Sequence, residues 1–225
     1  MAEKYGVIPK RFTKAWWEYF WMYYKWYVII AVIVLGLVIS TVHQVVTAPK
    51  YDITLVYAGG TVYDQAAEDA LNKKLSENVR DVNENGETLA QLLQYNFAID
   101  SKEVEYAMAM DVKLQMALSE DETFIFIMDK ELLERYIGSS AENCVFAPLD
   151  NWLTTDVAEE KKYMAHGKAY AVELSGNKFL EDCGINAEGK YLCMRFYPRP
   201  NQKKFIPGYE AAAELGNLML NGGGM

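Results

Sequence analysis

Two short stretches of the sequence carry residue types that could bind a polar molecule. Gly59-Gly60-Thr61 joins a predicted strand to a predicted helix, and Asp129 follows a second predicted strand. Backbone N–H groups at a strand-to-helix turn can hold an anionic or polar ligand. Gly59, Gly60, Thr61 and Asp129 are therefore the predicted ligand-binding residues. A tight turn with Thr61 as a helix cap would explain the glycine pair without a ligand.

Other motifs with chemical meaning are incomplete. The run from Asp81 to Gly86 matches the first half of a calcium loop, but the twelfth position, which needs a bidentate Glu, is Leu92. Its Asn85-Gly86 pair favours a hairpin turn between two strands instead. The run from Ser175 to Lys178 has the Ser-x-x-Lys spacing of penicillin-recognising enzymes, but no Lys-Thr-Gly follows. We interpret it as a turn at the start of a helix.

Histidine and cysteine are too scarce to build a reactive site. His43 and His166 stand far apart, and neither a zinc pattern nor a Cys–His pair can be assembled from them. The sequence therefore predicts no catalytic residue, no metal site and no cofactor. Cys183 and Cys193 flank a turn and could form a disulfide, although three buried free thiols, with Cys144, are favoured.

The elements that must position these residues alternate between strands and helices, which predicts an α/β domain in layers, with α+β as the alternative. A hairpin is predicted around Asn85-Gly86, and one helix is marked by Ala107, Met110, Leu114 and Ala117 and ends near Leu118. Asp129 is predicted to cap the helix that follows it. The remaining predicted strands cover residues 51–60, 123–128, 145–149, 168–174 and 190–197, and the remaining helices cover 61–76, 130–137, 177–182 and 208–220.

Several of these segments resemble bacterial extracellular solute-binding proteins. The segments are YDITLVYAGG, ETFIFIMDKELLERY, VFAPLDNWL and YAVELSGNKFLEDCGI, within residues 51–185. In that family a strand delivers an acidic residue at its end, and a short helix and a Pro-Leu-Asp segment follow. Asp129 and Pro148-Leu149-Asp150 match these places. Solute-binding proteins are longer and have two lobes around a ligand cleft. The resemblance therefore implies one lobe of a periplasmic-binding-protein-like fold, with a shrunken pair of lobes as the alternative.

A long apolar run precedes this domain. Residues 27–46 would form a helix of about 30 Å, the thickness of a hydrocarbon core, and residues 28–42 carry no charge. A cleaved signal peptide has a shorter apolar core, and Pro49 would follow the candidate cleavage site Val46-Thr47-Ala48. The sequence therefore predicts a permanent transmembrane helix. Such an anchor, with its aromatic run, resembles those of single-pass membrane proteins of Gram-positive bacteria.

The residues before this run are aromatic and basic. Nine of the twelve residues from Trp16 to Tyr27 are aromatic, and the first 49 residues contain 5 basic and 2 acidic side chains. Lys and Arg residues that flank a transmembrane helix stay on the cytoplasmic side of the membrane. This predicts a cytoplasmic N-terminus and an extracellular domain at the plasma membrane. We expect an amphipathic helix at the inner leaflet that bends into the spanning helix. Docking of these rings onto another membrane protein is the alternative.

The charge of the remaining chain limits its partners. Residues 50–225 carry 17 basic and 29 acidic side chains, which argues against nucleic acid as a partner. The predicted function is an interaction module, an accessory component of a transport or cell-envelope complex with the lipid bilayer and a membrane protein as partners. The alternative is a domain that binds or senses a small-molecule ligand. The predicted organisation is an interfacial segment (1–26), the spanning helix (27–46), a linker (47–50), the α/β domain (51–220) and a tail (221–225).

Overall fold

The structure is a computed structural model that describes residues 10–97, 104–120, 122–199 and 201–222. Residues 1–9 of the predicted interfacial segment and residues 223–225 of the predicted tail lie outside this description. The chain divides into two compact units, Met1–Pro49 and Lys50–Met225.

The first unit is built on one helix, α1 (Lys14–Thr47), of 34 residues. Thr13 caps it, because its hydroxyl accepts a hydrogen bond from the backbone N–H of Trp16. The helix is long and apolar enough to cross a membrane, with a mean hydropathy of 2.4 in its best window. Its length of about 51 Å exceeds a hydrocarbon core of about 30 Å. The aromatic run and the apolar run therefore share one continuous helix, instead of the two helices that the sequence analysis predicted.

The second unit contains one six-stranded mixed sheet with the strand order β2-β1-β3-β6-β5-β4. β1 pairs in parallel with β2 and β3, whereas the pairs β3–β6, β6–β5 and β5–β4 are antiparallel. The strands are β1 (Ile53–Gly59), β2 (Ala90–Asn96), β3 (Ile125–Asp129), β4 (Lys162–Ala165), β5 (Lys168–Glu173) and β6 (Lys190–Met194). The helices are α2 (Gln65–Glu77), α3 (Val104–Ser119), α4 (Lys130–Ile137), α5 (Lys178–Glu181) and α6 (Ile206–Leu220).

Helices cover both faces of this sheet, so the domain has three layers. Alternate strand residues point to opposite faces, and each face packs against its own helices. Leu55 and Ile127 belong to the core that contains Leu71 of α2 and Leu215 of α6. The other face contributes Val56, Phe126 and Cys193 to the core formed with α3 and α4, through Leu114 and Leu133. The prediction of a layered α/β domain is confirmed, whereas the resemblance to a periplasmic-binding-protein lobe stays a prediction.

The predicted hairpin at Asn85-Gly86 is wrong. The chain before Asn85 is a loop, and β2 after it runs parallel to β1. Asp52 explains this geometry, because its carboxylate accepts hydrogen bonds from the backbone N–H groups of Val82, Asn83 and Leu89, at 2.7 to 3.0 Å. The carboxylate of Asp81 in turn accepts from the N–H groups of Asn85 and Gly86. Local carboxylate contacts therefore fold the calcium-like run into a loop.

Other boundaries differ from the prediction in smaller ways. The helix predicted from Thr61 begins four residues later, because Asp64 is its N-cap and accepts from the N–H of Ala67. Residues 145–149 form a single bridge between Phe146 and Arg195 and a short 3-10 turn rather than a strand. β4, a half-exposed edge strand, has no counterpart among the predicted strands. The predicted turn at Ser175–Lys178 is present, with Asn177 as the N-cap of α5.

All three cysteines are free and buried, so Cys183 and Cys193 form no disulfide. Burial raises the pKa of each thiol, and that of Cys193 most clearly. In the unfolded chain a thiol loses its proton near pH 8.5, whereas the folded domain still holds it. The unfolded state then binds fewer protons than the folded state, so stability is full below about pH 8.5 and falls as the pH rises toward the folded pKa values.

We therefore expect the free energy of unfolding to fall above pH 8.5, by up to about 1.4 kcal/mol per pH unit for each thiol that stays protonated. Urea unfolding of the full-length protein in detergent, followed by far-UV circular dichroism at pH 7.5, 8.5 and 9.5, measures this slope. Cys193→Ala removes one ionisable thiol and should make the slope shallower. An equal slope in this variant would contradict the assignment to Cys193.

Candidate functional site

The predicted site residues lie at the carboxyl ends of β1 and β3. The chain leaves β1 through α2 to reach β2 on one side, and then crosses by α3 to β3 on the other side. The strand order therefore reverses between β1 and β3. In open α/β sheets, ligands bind in the crevice outside the strand ends at such a switch point. A cleft of about 600 Å³ lies at this place.

Asp129 is the centre of the site. It occupies the N-cap position of α4, but its side chain makes no capping hydrogen bond to that helix, contrary to the prediction. One carboxylate oxygen, Oδ2, accepts from the backbone N–H of Gly60 at 2.7 Å. The other, Oδ1, accepts from the hydroxyl of Tyr57 at 3.1 Å. The carboxylate therefore ties the end of β3 to the turn that follows β1.

Lys190 completes this cluster from the neighbouring antiparallel strand. It opens β6, and its Cα pairs with that of Asp129, so that both side chains meet at the same edge. Its ammonium lies 3.3 Å from Asp129 Oδ1 and donates to Thr61 Oγ1 at 3.1 Å. The Lys190 side chain is 6% exposed and that of Asp129 is 30% exposed. A buried ammonium needs such a partner, because desolvation of an unpaired charge is costly.

Tyr57 joins the remaining groups of the cluster. Its hydroxyl accepts from the N–H of Thr61 at 3.1 Å while donating to Asp129. Its ring packs against Tyr63 at a centroid distance of 4.9 Å. Burial raises the pKa of Tyr63, and the neighbouring Tyr57 and Asp129 raise it further. The Tyr63 phenol therefore stays protonated at neutral pH.

Gly59 is required by the close approach of β1 and β3 at this point. A Cβ on Gly59 would stand 2.5 Å from Cγ and Oδ1 of Asp129, and it would also collide with the Tyr57 hydroxyl. Real Cβ atoms do not come this close to other heavy atoms. The residue is thus glycine because of space, since its backbone is not in the left-handed region.

The cleft itself is lined by charged groups of both signs. Lys130, Glu131 and Arg135 come from α4, and Glu188 precedes β6. The first turn of α4 borders the cleft, and its N–H groups receive no side-chain cap within the described part of the chain. A helix start carries a partial positive charge that favours anions. Among the described residues, no group of three or more His, Cys, Asp or Glu side chains is arranged to hold a metal ion.

The structure brings Gly59, Gly60, Thr61 and Asp129 together, but it changes what they can do. The N–H groups of Gly60 and Thr61 are already bonded to Asp129 and Tyr57, so they do not form the open anion site that the sequence predicted. The hydroxyl hydrogen of Thr61 has no acceptor among the described residues and can be donated to a ligand. Pro148-Leu149-Asp150, the other matching segment, lies outside the cleft lining.

Sequence reasoning missed Tyr57 and Lys190. Tyr57 lies within a strand that reads as apolar, and Lys190 opens a strand whose neighbour could not be known from sequence. The one available signal was the position of Lys190 at the start of an otherwise apolar strand. Lysine is almost never buried without a partner, so such a position indicates a nearby carboxylate.

Comparison with known proteins adds no relative to this description. A scan against protein-family models, a search of curated proteins and a search of solved structures found no match to this chain. The resemblance to extracellular solute-binding proteins therefore stays a prediction.

Proposed function

We propose that the domain binds a small polar ligand in the cleft at the carboxyl ends of β1 and β3. The observation that carries this proposal is the cleft itself, which lies at the switch point and is bordered by polar groups. The cluster of Tyr57, Asp129 and Lys190 satisfies its own charges and fixes the cleft wall. It offers no activated nucleophile, because the ammonium of Lys190 is paired with a carboxylate. Binding rather than catalysis fits this arrangement.

The lining indicates a ligand with an anionic group and a hydrogen-bond acceptor. The uncapped start of α4, with Lys130 beside it, suits a carboxylate or phosphate. The free hydroxyl hydrogen of Thr61 suits the acceptor. Glu131 and Glu188 on the same lining suit a cationic or donor group at the other end of the ligand. A zwitterionic solute has this combination.

We also propose that α1 is a permanent anchor with a cytoplasmic N-terminus, which places the binding domain outside the plasma membrane. The length and hydropathy of α1 support the membrane location. The positive residues before its apolar run support the orientation. The domain would then capture or sense a solute at the cell surface.

Native mass spectrometry of the full-length protein, gently extracted from its own membranes, tests the binding proposal. We expect a stoichiometric small-molecule adduct on the wild type. Thr61→Val and Lys130→Ala should each lower the adduct fraction by about fivefold or more, since each removes one contact worth roughly 1–1.5 kcal/mol. Lys168→Ala is the matched control, because this exposed lysine is outside the cleft lining. Absence of any adduct, or its retention in both cleft variants, would refute the proposal.

A second candidate function, an interaction module for a membrane protein, is supported by α3. Tyr106, Met108, Val112 and Met116 of this helix are 41%, 63%, 55% and 59% exposed. Met108, Val112 and Met116 recur every four residues and form one apolar stripe on the helix. Exposed apolar stripes of this kind favour a protein partner.

The same extraction tests this candidate. If α3 binds a membrane protein, that protein is co-extracted with the wild-type chain, and Val112→Glu abolishes this co-extraction. Lys113→Glu, on the neighbouring exposed position of α3, is the matched control and should leave it unchanged. Co-extraction of a membrane protein that Val112→Glu does not change would show that α3 is not the contact surface.

A further inference from the structure

The edge of the sheet opposite the cleft carries a segment whose composition differs from that of the rest of the domain. Residues 195–199 and 201–205, called the basic segment below, contain Arg195, Arg199, Lys203 and Lys204 and no acidic residue. They also contain Phe196, Tyr197 and Phe205. The domain as a whole has an excess of 12 acidic residues, so this is a local reversal of charge.

The basic segment lies at the edge where the chain enters the domain. β6 ends at Met194, which pairs with Ile125 at the beginning of β3, and the N–H of Arg195 donates to the carbonyl of Phe124 at 2.9 Å. β1 is parallel to β3, so its first residue, Ile53, lies at the same edge. Residues 48–52 separate α1 from β1, and five residues extend to about 17 Å. The connection to α1 therefore joins the domain at the same edge as the basic segment.

Five of the seven basic and aromatic side chains of the basic segment are exposed to solvent. Phe196 and Tyr197 are 46% and 50% exposed, although the ring of Tyr197 is held against that of Tyr209 at a centroid distance of 4.9 Å. Arg199, Lys203 and Lys204 are exposed and form no ion pair in the described ranges. Arg195 differs from them, because it donates to the carbonyls of Glu120 and Thr123 and anchors the segment.

We propose that the basic segment docks the domain on anionic lipid headgroups. Tyr and Phe side chains settle at the boundary between headgroups and acyl chains, and adjacent Lys and Arg side chains bind the anionic headgroups. The segment combines both features on one edge of the domain, and its charge is complementary to such a surface. The exposed Glu84 and Glu87 belong to the loop before β2, which two strands separate from β6, whereas the exposed Glu120 and Glu122 lie beside Arg195. The positive charge available for docking is therefore that of Arg199, Lys203 and Lys204. This inference is independent of the ligand proposed for the cleft.

A fluorescent label on the full-length protein in lipid nanodiscs tests the proposal. Asn201→Cys introduces an exposed thiol in the basic segment, while the native thiols are buried. In nanodiscs of phosphatidylcholine with phosphatidylglycerol and a headgroup-level quenching lipid, we expect strong quenching of this label. Quenching should be weaker in pure phosphatidylcholine and should fall with salt, because the attraction is screened. A label at Ala66→Cys, at the start of α2 beside the cleft edge, should stay unquenched.

Charge-reversal variants of the basic segment distinguish docking on the bilayer from mere closeness of residue 201 to the bilayer. Arg199→Glu, Lys203→Glu and Lys204→Glu together should shift the docking equilibrium by roughly 100-fold or more and abolish the quenching at residue 201. The control combines Lys113→Glu, Lys168→Glu and Lys178→Glu, three exposed lysines elsewhere, and changes the net charge equally. Loss of quenching in both triple variants, equal quenching with and without anionic lipid, or equal quenching at residues 66 and 201 would each overturn the proposal.

Discussion

Gly59→Ala is expected to destabilise the domain by roughly 2–3 kcal/mol and to open the cluster at the cleft. The added methyl group would stand 2.5 Å from Cγ of Asp129, and neither β1 nor β3 can withdraw without losing ladder hydrogen bonds. The strain is relieved when Asp129 turns away, which frees the N–H of Gly60 and the ammonium of Lys190. Urea unfolding of the full-length protein in detergent, followed by far-UV circular dichroism, measures the loss.

Gly208→Ala is the matched control for this substitution. A Cβ on Gly208 meets its nearest neighbour, Cε2 of Phe124, at 3.6 Å, which is ordinary van der Waals contact. Gly208 lies in α6, where alanine is the better helix former, so this variant should be neutral or more stable by up to about 1 kcal/mol. A Gly59→Ala protein as stable as Gly208→Ala would show that Asp129 and Gly59 are not in contact.

Asp129→Ala is expected to cost about 3 kcal/mol of stability, because it leaves Lys190 buried without its carboxylate. Thr61 would remain as an acceptor for this ammonium, but a hydroxyl group does not balance a charge. If the charge is responsible, the double variant Asp129→Ala with Lys190→Met should be more stable than Asp129→Ala alone. Unfolding free energies of the two single variants and the double variant form the cycle that measures the coupling.

An exposed pair provides the control for this cycle. Lys73 and Glu77 stand one helical turn apart at 3.9 Å, with side chains that are 79% and 62% exposed. Glu77→Ala should change stability by less than about 0.5 kcal/mol, because water screens such pairs. If the costs of Asp129→Ala and Lys190→Met simply add in the double variant, the two side chains are not energetically coupled, and the cluster would lose its role as the fixed wall of the cleft.

Much of the fold was predictable because its signals are local. The buried strands β1 and β3 read as short apolar runs, and α4 lies between a polar N-cap position and a glycine. The hairpin prediction failed because the Asn85-Gly86 signal competes with Asp52, more than 30 positions earlier, whose carboxylate holds three N–H groups of the loop. A contact of that kind is decided by tertiary structure, which a local pattern does not contain.

The candidate site was likewise predictable only where its residues follow local signals. Gly59, Gly60, Thr61 and Asp129 stand directly after strands, and parallel strands bring such residues to one edge. Lys190 could not be placed in the same way, because β6 lies beside β3 only through an antiparallel pairing 61 positions apart in the chain. The ion pair of Asp129 with Lys190 depends on that strand pairing, so from the sequence Asp129 was predicted only as a helix cap and a ligand contact.

The position of β1 has a mechanical consequence. This strand begins where the chain enters the domain and ends at Gly59 beside the cleft. Tension applied through residue 50 pulls β1 along its own axis against two parallel neighbours, so the ladder hydrogen bonds to β2 and β3 share the load and must break together. The domain should therefore resist extraction through its N-terminal connection. Once β1 does slide, the wall of the cleft moves with it, so a load strong enough to displace the strand would also deform the cleft.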